Sequence, residues 1–412
     1  MNTQTSSQLI ELENKYGAHN YHPLPVVLDR GEGVFVWDVE GKKYYDFLSA
    51  YSAVNQGHCH PRIINKAKEQ LEKLTLTSRA FYNSELGKYE KFVSELFGFD
   101  KVLPMNSGAE AVETALKLAR KWGYEVKGIP QDEAIIVVCD GNFHGRTTTI
   151  ISFSNDEEAR KNFNPYTKGF ESVAYGDEND LEKILKEKAD KICAFLVEPI
   201  QGEAGVNVPK DGYLKACYDL CKTNNVLFIA DEIQTGIART GKLLAIDYED
   251  IQPDVLILGK ALSGGVYPVS AVLANDELMN VIKPGQHGST YGGNPLACAI
   301  ALEALQVVLD EKLQENAYNL GEYFRNEIQK LVEKHSILKS VRGKGLLNAL
   351  LINDTPESET AWNFCLKLAE KGLLAKPTHG NIIRFAPPLV ITKEQIDDCI
   401  KIISETTELF SN

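Results

Sequence analysis

The sequence predicts an α/β protein: a large domain with a mostly parallel sheet flanked by helices, plus a smaller α+β domain built from the C-terminal part and the N-terminal segment. Three observations predict it. Between residues 101 and 274, apolar runs alternate with helical stretches, as strands joined by crossover helices do. These runs are continuously apolar rather than alternating, which suits strands covered on both faces. Outside that region the pattern changes, to short β segments before Leu48 and to long amphipathic helices after Asn294.

Taken in order, residues 1–20 are polar and expected to be only partly ordered. The stretch 25–48 contains short β runs around Gly31 and Gly33 and a turn at Glu40-Gly41, which predicts a small antiparallel meander. Helical spacing follows at 62–74 and 86–97. Residues 107–121 are Ala-rich and open with Ser107-x-x-Glu110, a capping box at a helix start. Strands are expected at AIIVVC (134–139), CAFLVE (193–198), VLFIAD (226–231), VLILGK (255–260) and VSAVLA (269–274), with a helix at 212–223 among them. Helices at 295–309 and 313–331, strands in GKGLLNALLI and IIRFAPPL, and a capped helix from Thr392 complete the chain. The expected divisions are an N-terminal segment (1–52), a large α/β domain (53–295) and a C-terminal α+β domain (296–412).

Composition narrows the function. A net charge of -13 disfavours nucleic acid and anionic membrane as partners, because those surfaces bind clustered Lys and Arg. It leaves small anionic substrates open, since one local arginine suffices. The eight cysteines are scattered and read as thiols of a reducing compartment. His58-Cys59-His60 has no second cluster to complete a metal site, so no metal is expected. No run of about 18 apolar residues predicts a membrane span. Residues 1–17 lack an apolar core for secretion and the arginines of a transit peptide, which makes the cytoplasm the expected compartment.

The chemistry concentrates between Val226 and Lys260. Two apolar runs end there in Asp231 and Lys260, and ligands of parallel sheets bind beyond the strands' carboxyl ends. A carboxylate and an amine at one crevice fit pyridoxal phosphate, which lysine holds as a Schiff base while an acid partners the pyridine nitrogen. A competing motif, Gly236 to Lys242 (GIARTGK), has phosphate-loop spacing. It is followed by Leu243 rather than the Ser or Thr that binds magnesium, and no strand runs directly into it. Other loops fit the cofactor. Asn106-Ser107-Gly108-Ala109 offers free N–H groups at a helix start, an anion site. In Gly141 to Arg146 (GNFHGR), Phe143 or His144 supplies a face for a flat ring, and Arg146 a fork for a carboxylate. Glu198 to Glu203 follows another strand, and Gln234 lies just past Asp231.

With NSGAEA, GNFHGRT, EPIQGE and GSTYGGNP, these residues resemble the class III aminotransferases of the fold type I pyridoxal phosphate enzymes, from about Tyr16 to the C-terminal helix. The ornithine-specific members are most similar, through the long segment 16–61 and through TSRAFYN, VRGKGLLNA and LLAKPTHGNIIRFAPPL. The resemblance implies that Lys260 carries the cofactor and moves the proton, while Asp231 holds the pyridine nitrogen and Gln234 the phenolic oxygen. Phe143 and Ile233 would cover the two ring faces. Ser107, Gly108 and Ala109 would bind the phosphate, with Ser289 and Thr290 contributed by the second subunit of a homodimer.

The implied reaction moves the δ-amino group of ornithine to 2-oxoglutarate, giving glutamate 5-semialdehyde and glutamate by a ping-pong route. Arg384 would take glutamate's α-carboxylate and be masked by Glu203 when ornithine binds. Arg146 would hold the distal carboxylate, and Tyr21 and Tyr51 the α end of ornithine. Alternatives are an aminotransferase of N-acetylornithine or 4-aminobutyrate, or a non-catalytic scaffold that binds the cofactor. At 144 the animal ornithine enzymes carry tryptophan, whereas histidine is usual in acetylornithine members; Tyr21 and Tyr51 favour ornithine.

Overall fold

A computed structural model describes residues 4–410. At its centre lies a seven-stranded sheet in the order Lys101–Met105, Ser270–Ala274, Val255–Leu258, Leu227–Asp231, Ile192–Val197, Ile135–Cys139, Phe170–Val173. Ser270–Ala274 runs antiparallel to both neighbours, and the other pairings are parallel. The mostly parallel sheet is therefore as expected. The inner strands Ile192–Val197, Leu227–Asp231, Val255–Leu258 and Ser270–Ala274 are buried at every position, which is why each reads as an unbroken apolar run. The two end strands, KVLPM and FESV, escaped that signal. An edge strand tolerates Pro104, Lys101 and Glu171 because one side of it is unpaired.

Helix Gly108–Trp122 begins as its capping box predicts: Ser107 Oγ accepts from the Glu110 N–H, and the Glu110 carboxylate accepts from the Ser107 N–H. Its Ala111, Ala115, Leu118 and Ala119 are buried against the sheet.

Two smaller sheets lie outside the large one. Leu28–Glu32, Phe35–Asp38 and Lys43–Asp46 form the N-terminal meander, and Leu373–Leu374 adds to it in parallel, Leu373 opposite Tyr45. Leu338–Lys344, Leu347–Ile352, Ile382–Phe385 and Lys376–Thr378 form an antiparallel sheet. The stretch 373–378 thus serves both sheets and joins the chain's two ends. Phe47, Phe324 and Phe385 pack there with ring centroids 5.7–6.0 Å apart.

Within the polar N-terminal stretch, Ser6–Tyr16 form a helix with a Thr5–Gln8 capping box, and Ser6 is tied to Glu40. None of its residues is buried, so no apolar periodicity announces it. Among the described residues no helix is long and apolar enough to cross a membrane.

Candidate active site

Four neighbouring parallel strands deliver their carboxyl ends to one place. In sheet order, Val255–Leu258 leads to Lys260, Leu227–Asp231 ends at Asp231, Ile192–Val197 leads to Glu198, and Ile135–Cys139 leads to Phe143 and His144. Together with Gly108, Ala109, Glu203, Ile233 and Gln234, these side chains line a cavity of about 210 Å³. Such a crevice follows from parallel strands, whose loops all emerge at the same edge.

Lys260 opens a short 3-10 turn with φ of +45°, a left-handed conformation that a residue with a side chain adopts only under constraint. Burial pushes its pKa down to about 8, with the nearby Arg384 charge acting in the same direction. Asp231 is 4% exposed; one carboxylate oxygen meets His144 Nδ1 at 2.6 Å and the other accepts the Ile233 N–H at 3.1 Å. Burial opposes a charge on His144, but the Asp231 bond and charge prevail and raise its pKa. Glu198 accepts the Phe143 N–H at 2.9 Å, and burial pushes its pKa up to about 8.

Beside Lys260 sits an ion pair. Arg384 Nη1 donates to Glu203 Oε1 at 2.7 Å, and Gln234 Nε2 donates to the same oxygen at 3.1 Å. Burial disfavours the Glu203 charge, yet Arg384 holds its carboxyl below the usual range. Only one guanidinium nitrogen engages the carboxylate, and Arg384 Nε is buried without a hydrogen-bond partner. The guanidinium carbon lies 5.1 Å from the Tyr51 ring centre. Gln234 needs a glycine opposite: a Cβ on Gly202 would fall 1.4 Å from its Oε1.

The remaining expected residues are placed as follows. Ser107 caps the helix whose first residues, Gly108 and Ala109, line the cavity. Ser289 Oγ accepts from Asn106 Nδ2 at 2.8 Å, whereas Thr290 is exposed and outside the cavity lining of its own chain. Tyr51 is 36% exposed and within electrostatic reach of Tyr21, which is 72% exposed. Arg146 is exposed at the rim, 5.6 Å from the Phe143 ring centre. The structure thus gathers Lys260, Asp231, Gln234, Phe143, Ile233, Glu203 and Arg384 and leaves Tyr21, Arg146 and Thr290 peripheral.

Two contributors went unassigned in the sequence. His144 stood as a ring-stacking candidate but grips Asp231, a contact across strands that no local spacing reveals. Glu198 had a readable signal, because its apolar run ends in an acid as that of Asp231 does.

The pyridoxal phosphate group fits the residues present. A half-buried amine of lowered pKa shares the cavity with a buried carboxylate, with apolar Phe143 and Ile233 beside them. A Cβ at Gly108 would approach Ile233 Cδ1 to 3.1 Å, so glycine keeps the helix start open to an anion. The unpartnered Gln234 Oε1 and His144 Nε2 also point to a polar occupant.

Comparison with known proteins agrees. The family model described as Aminotransferase class-III matches residues 16–407. A protein of Drosophila ananassae called mitochondrial ornithine aminotransferase is 62% identical over 401 residues, covering 97% of this chain and 91% of its own. A solved acetylornithine aminotransferase from Elizabethkingia anophelis is 66% identical with a TM-score of 0.92, covering 99% of this chain and all of its own. The ornithine aminotransferase of Toxoplasma gondii, solved with partial occupancy of pyridoxal phosphate at its active site, is 49% identical with a TM-score of 0.97, over 99% and 95% of the chains.

Proposed function

The chain belongs to the class III aminotransferases, and from that premise we propose that it is a pyridoxal phosphate enzyme that moves the δ-amino group of L-ornithine to 2-oxoglutarate. The Glu203–Arg384 pair beside Lys260 carries the reading.

Lys260 Nζ is the covalent anchor, and Asp231, held by His144, keeps a proton on the ring nitrogen. Gln234 serves the phenolic oxygen, Phe143 and Ile233 the ring faces, and Ser107, Gly108 and Ala109 the phosphate. Bound there, the cofactor stabilises the negative charge left when the substrate carbon gives up its proton, and it carries the amino group between the two substrates. Lys260 Nζ takes that proton and returns it on the neighbouring atom, a task suited to an amine with pKa about 8.

The pair explains the choice of end. Ornithine reacts at δ and 2-oxoglutarate at α, so the α-carboxylate must be refused from one donor and accepted from the other. While Glu203 holds Arg384, no carboxylate can use that fork, and ornithine enters δ-first with its α end towards Tyr21 and Tyr51. A glutamate α-carboxylate displaces Glu203, which holds Arg384 through Nη1 alone and so competes weakly with a two-pronged ligand. Arg146 at the rim takes the distal carboxylate.

A second reading, N-acetylornithine as donor, is favoured by His144 and by the name of the Elizabethkingia relative. Half-reactions separate the two. Each amine is added alone to the holoenzyme, and the absorbance of the lysine-bound cofactor is followed. Rapid loss with ornithine is expected; loss with N-acetylornithine alone would exchange the readings, and loss with neither would favour the scaffold. We further propose a homodimer in which Ser289 and Thr290 complete the phosphate site of the second copy, because Thr290 is exposed on its own chain. The eight cysteines are all free thiols, seven of them buried, which supports a reducing compartment, and the cytoplasm is the proposed one.

A further inference from the structure

We propose that Arg239 is a positioning residue that locks together the segments carrying Tyr51 and Arg384, and so sets which end of the amino donor reaches Lys260. The inference rests on the function proposed above. Arg239 belongs to the GIARTGK stretch, whose residues 236–241 are buried in the protein and outside the cavity lining.

Arg239 is 0% exposed, and among the described residues no carboxylate forms an ion pair with it. Its guanidinium is spent on neutral acceptors from three separate segments. Nε and Nη2 donate to Asn55 Oδ1 at 3.1 and 2.5 Å, and Nη1 donates to the Leu346 and Pro387 carbonyls at 2.9 and 2.6 Å. Each acceptor lies close in sequence to a proposed substrate residue or leads to one. Asn55 closes the segment of Tyr51, where Ser49, Ala50, Tyr51 and Ser52 have φ of +48°, +47°, +60° and +69°. Four consecutive left-handed residues with side chains do not hold that shape unaided. Pro387 follows Arg384 on the same strand end. Leu346 lies in a hairpin whose Arg342 donates to the Gly205 carbonyl at 2.7 and 2.9 Å, just beyond Glu203.

The links are also reciprocal. Asn55 Nδ2 donates to the Ile237 carbonyl at 2.8 Å, the Leu346 N–H to the Arg239 carbonyl at 3.1 Å, and the Leu389 N–H to the Asn55 carbonyl at 2.7 Å. Arg239 itself follows Asp231 and Gln234 on the loop after their strand. One planar fork therefore references both substrate segments to the cofactor-bearing strand. A lysine lacks the planar fork, so it cannot keep the paired Nε and Nη2 bonds to Asn55 Oδ1 together with the two carbonyl bonds made from the other side. A residue needed only for packing would be apolar, since a buried cation is expensive to desolvate when its favourable carboxylate, Asp46, makes no ion pair with it.

The test compares Arg239→Lys and Asn55→Ala holoenzymes with wild type, using ornithine and 2-oxoglutarate. Measured are KM, kcat and the share of ornithine that loses its α- rather than its δ-amino group, with the isomeric cyclised products separated by chromatography. In both variants KM for ornithine is expected to rise about tenfold and δ-preference to fall about tenfold, with kcat per bound cofactor within about threefold, because sub-ångström misplacement acts on substrate and not on the cofactor. Unchanged KM and δ-preference would overturn the inference, as would activity that falls only in step with the folded, cofactor-bearing fraction. Should Arg239→Lys fail to fold, Asn55→Ala decides alone, since it leaves the guanidinium and its carbonyl bonds in place. A wild type that transfers no δ-amino group sinks the proposed function and this inference with it; a δ-selective wild type with unaltered variants sinks only the inference.

Discussion

Lys260 combines three features seldom met together in one lysine: a half-buried position, a left-handed backbone and a pKa lowered to about 8. The depressed pKa has a direct consequence for cofactor loading. Only the neutral amine attacks an aldehyde, and at neutral pH a group with pKa about 8 is neutral far more often than an exposed lysine. Uptake of pyridoxal phosphate by the cofactor-free protein, followed by the absorbance of the lysine-bound form, should rise about tenfold per pH unit up to about pH 8 and level off above it. A rise that continues unbroken towards pH 10.5 would refute the burial argument. The linkage sign agrees. The folded pKa lies below the unfolded value, so burying the charged amine costs the cofactor-free protein about 3 kcal/mol below pH 8, and the cost fades as pH rises to 10.5. Asp231 was legible at this scale, as the charge that ends an apolar run. Its partner His144 was not, because the contact joins loops from two strands.

Among the elements, the helices opened by the capping boxes at Ser107 and Thr392 were recovered, whereas Glu178–Lys188, capped by Asp177, was passed over. Helix Lys393–Leu409 is announced by Thr392 and Gln395, whose side chains and backbone N–H groups bond reciprocally. That cap is remote from the cavity, so it offers a clean test of local energetics. Thr392→Ala should lower stability by about 1 kcal/mol in urea unfolding while kcat and KM stay at wild-type values; a change in kcat would mean that the C-terminal helix is coupled to the site. Helix Ser6–Tyr16 has a comparable cap but no buried face, so pattern reading passed over it. The edge strands Lys101–Met105 and Phe170–Val173 were missed for the opposite reason, since edge positions relax the demand for apolar residues.

For the whole molecule, the proposed dimer makes a prediction that no single site can imitate. If Thr290 serves the neighbouring copy's phosphate, Lys260→Ala and Thr290→Ala each weaken both sites of their own homodimer. A mixed dimer restores one intact site, with Lys260 from one chain and Thr290 from the other. Reassorting equal amounts of the two variants should therefore yield roughly a quarter of wild-type activity, as symmetric pairing requires. Activity no higher than the average of the two separate variants would place Thr290 in its own chain's site or in none.

The sequence by itself determined the layers and the cofactor chemistry and pointed to the residues proposed to carry it, because burial on both faces, helix capping and strand-end charges are local demands written in short stretches. Only the tertiary structure decided how the pieces reference one another. It set His144 against Asp231 and Arg239 between Asn55, Leu346 and Pro387. Those contacts join residues far apart in the chain, and their geometry comes from the packing of whole elements, which no local pattern encodes.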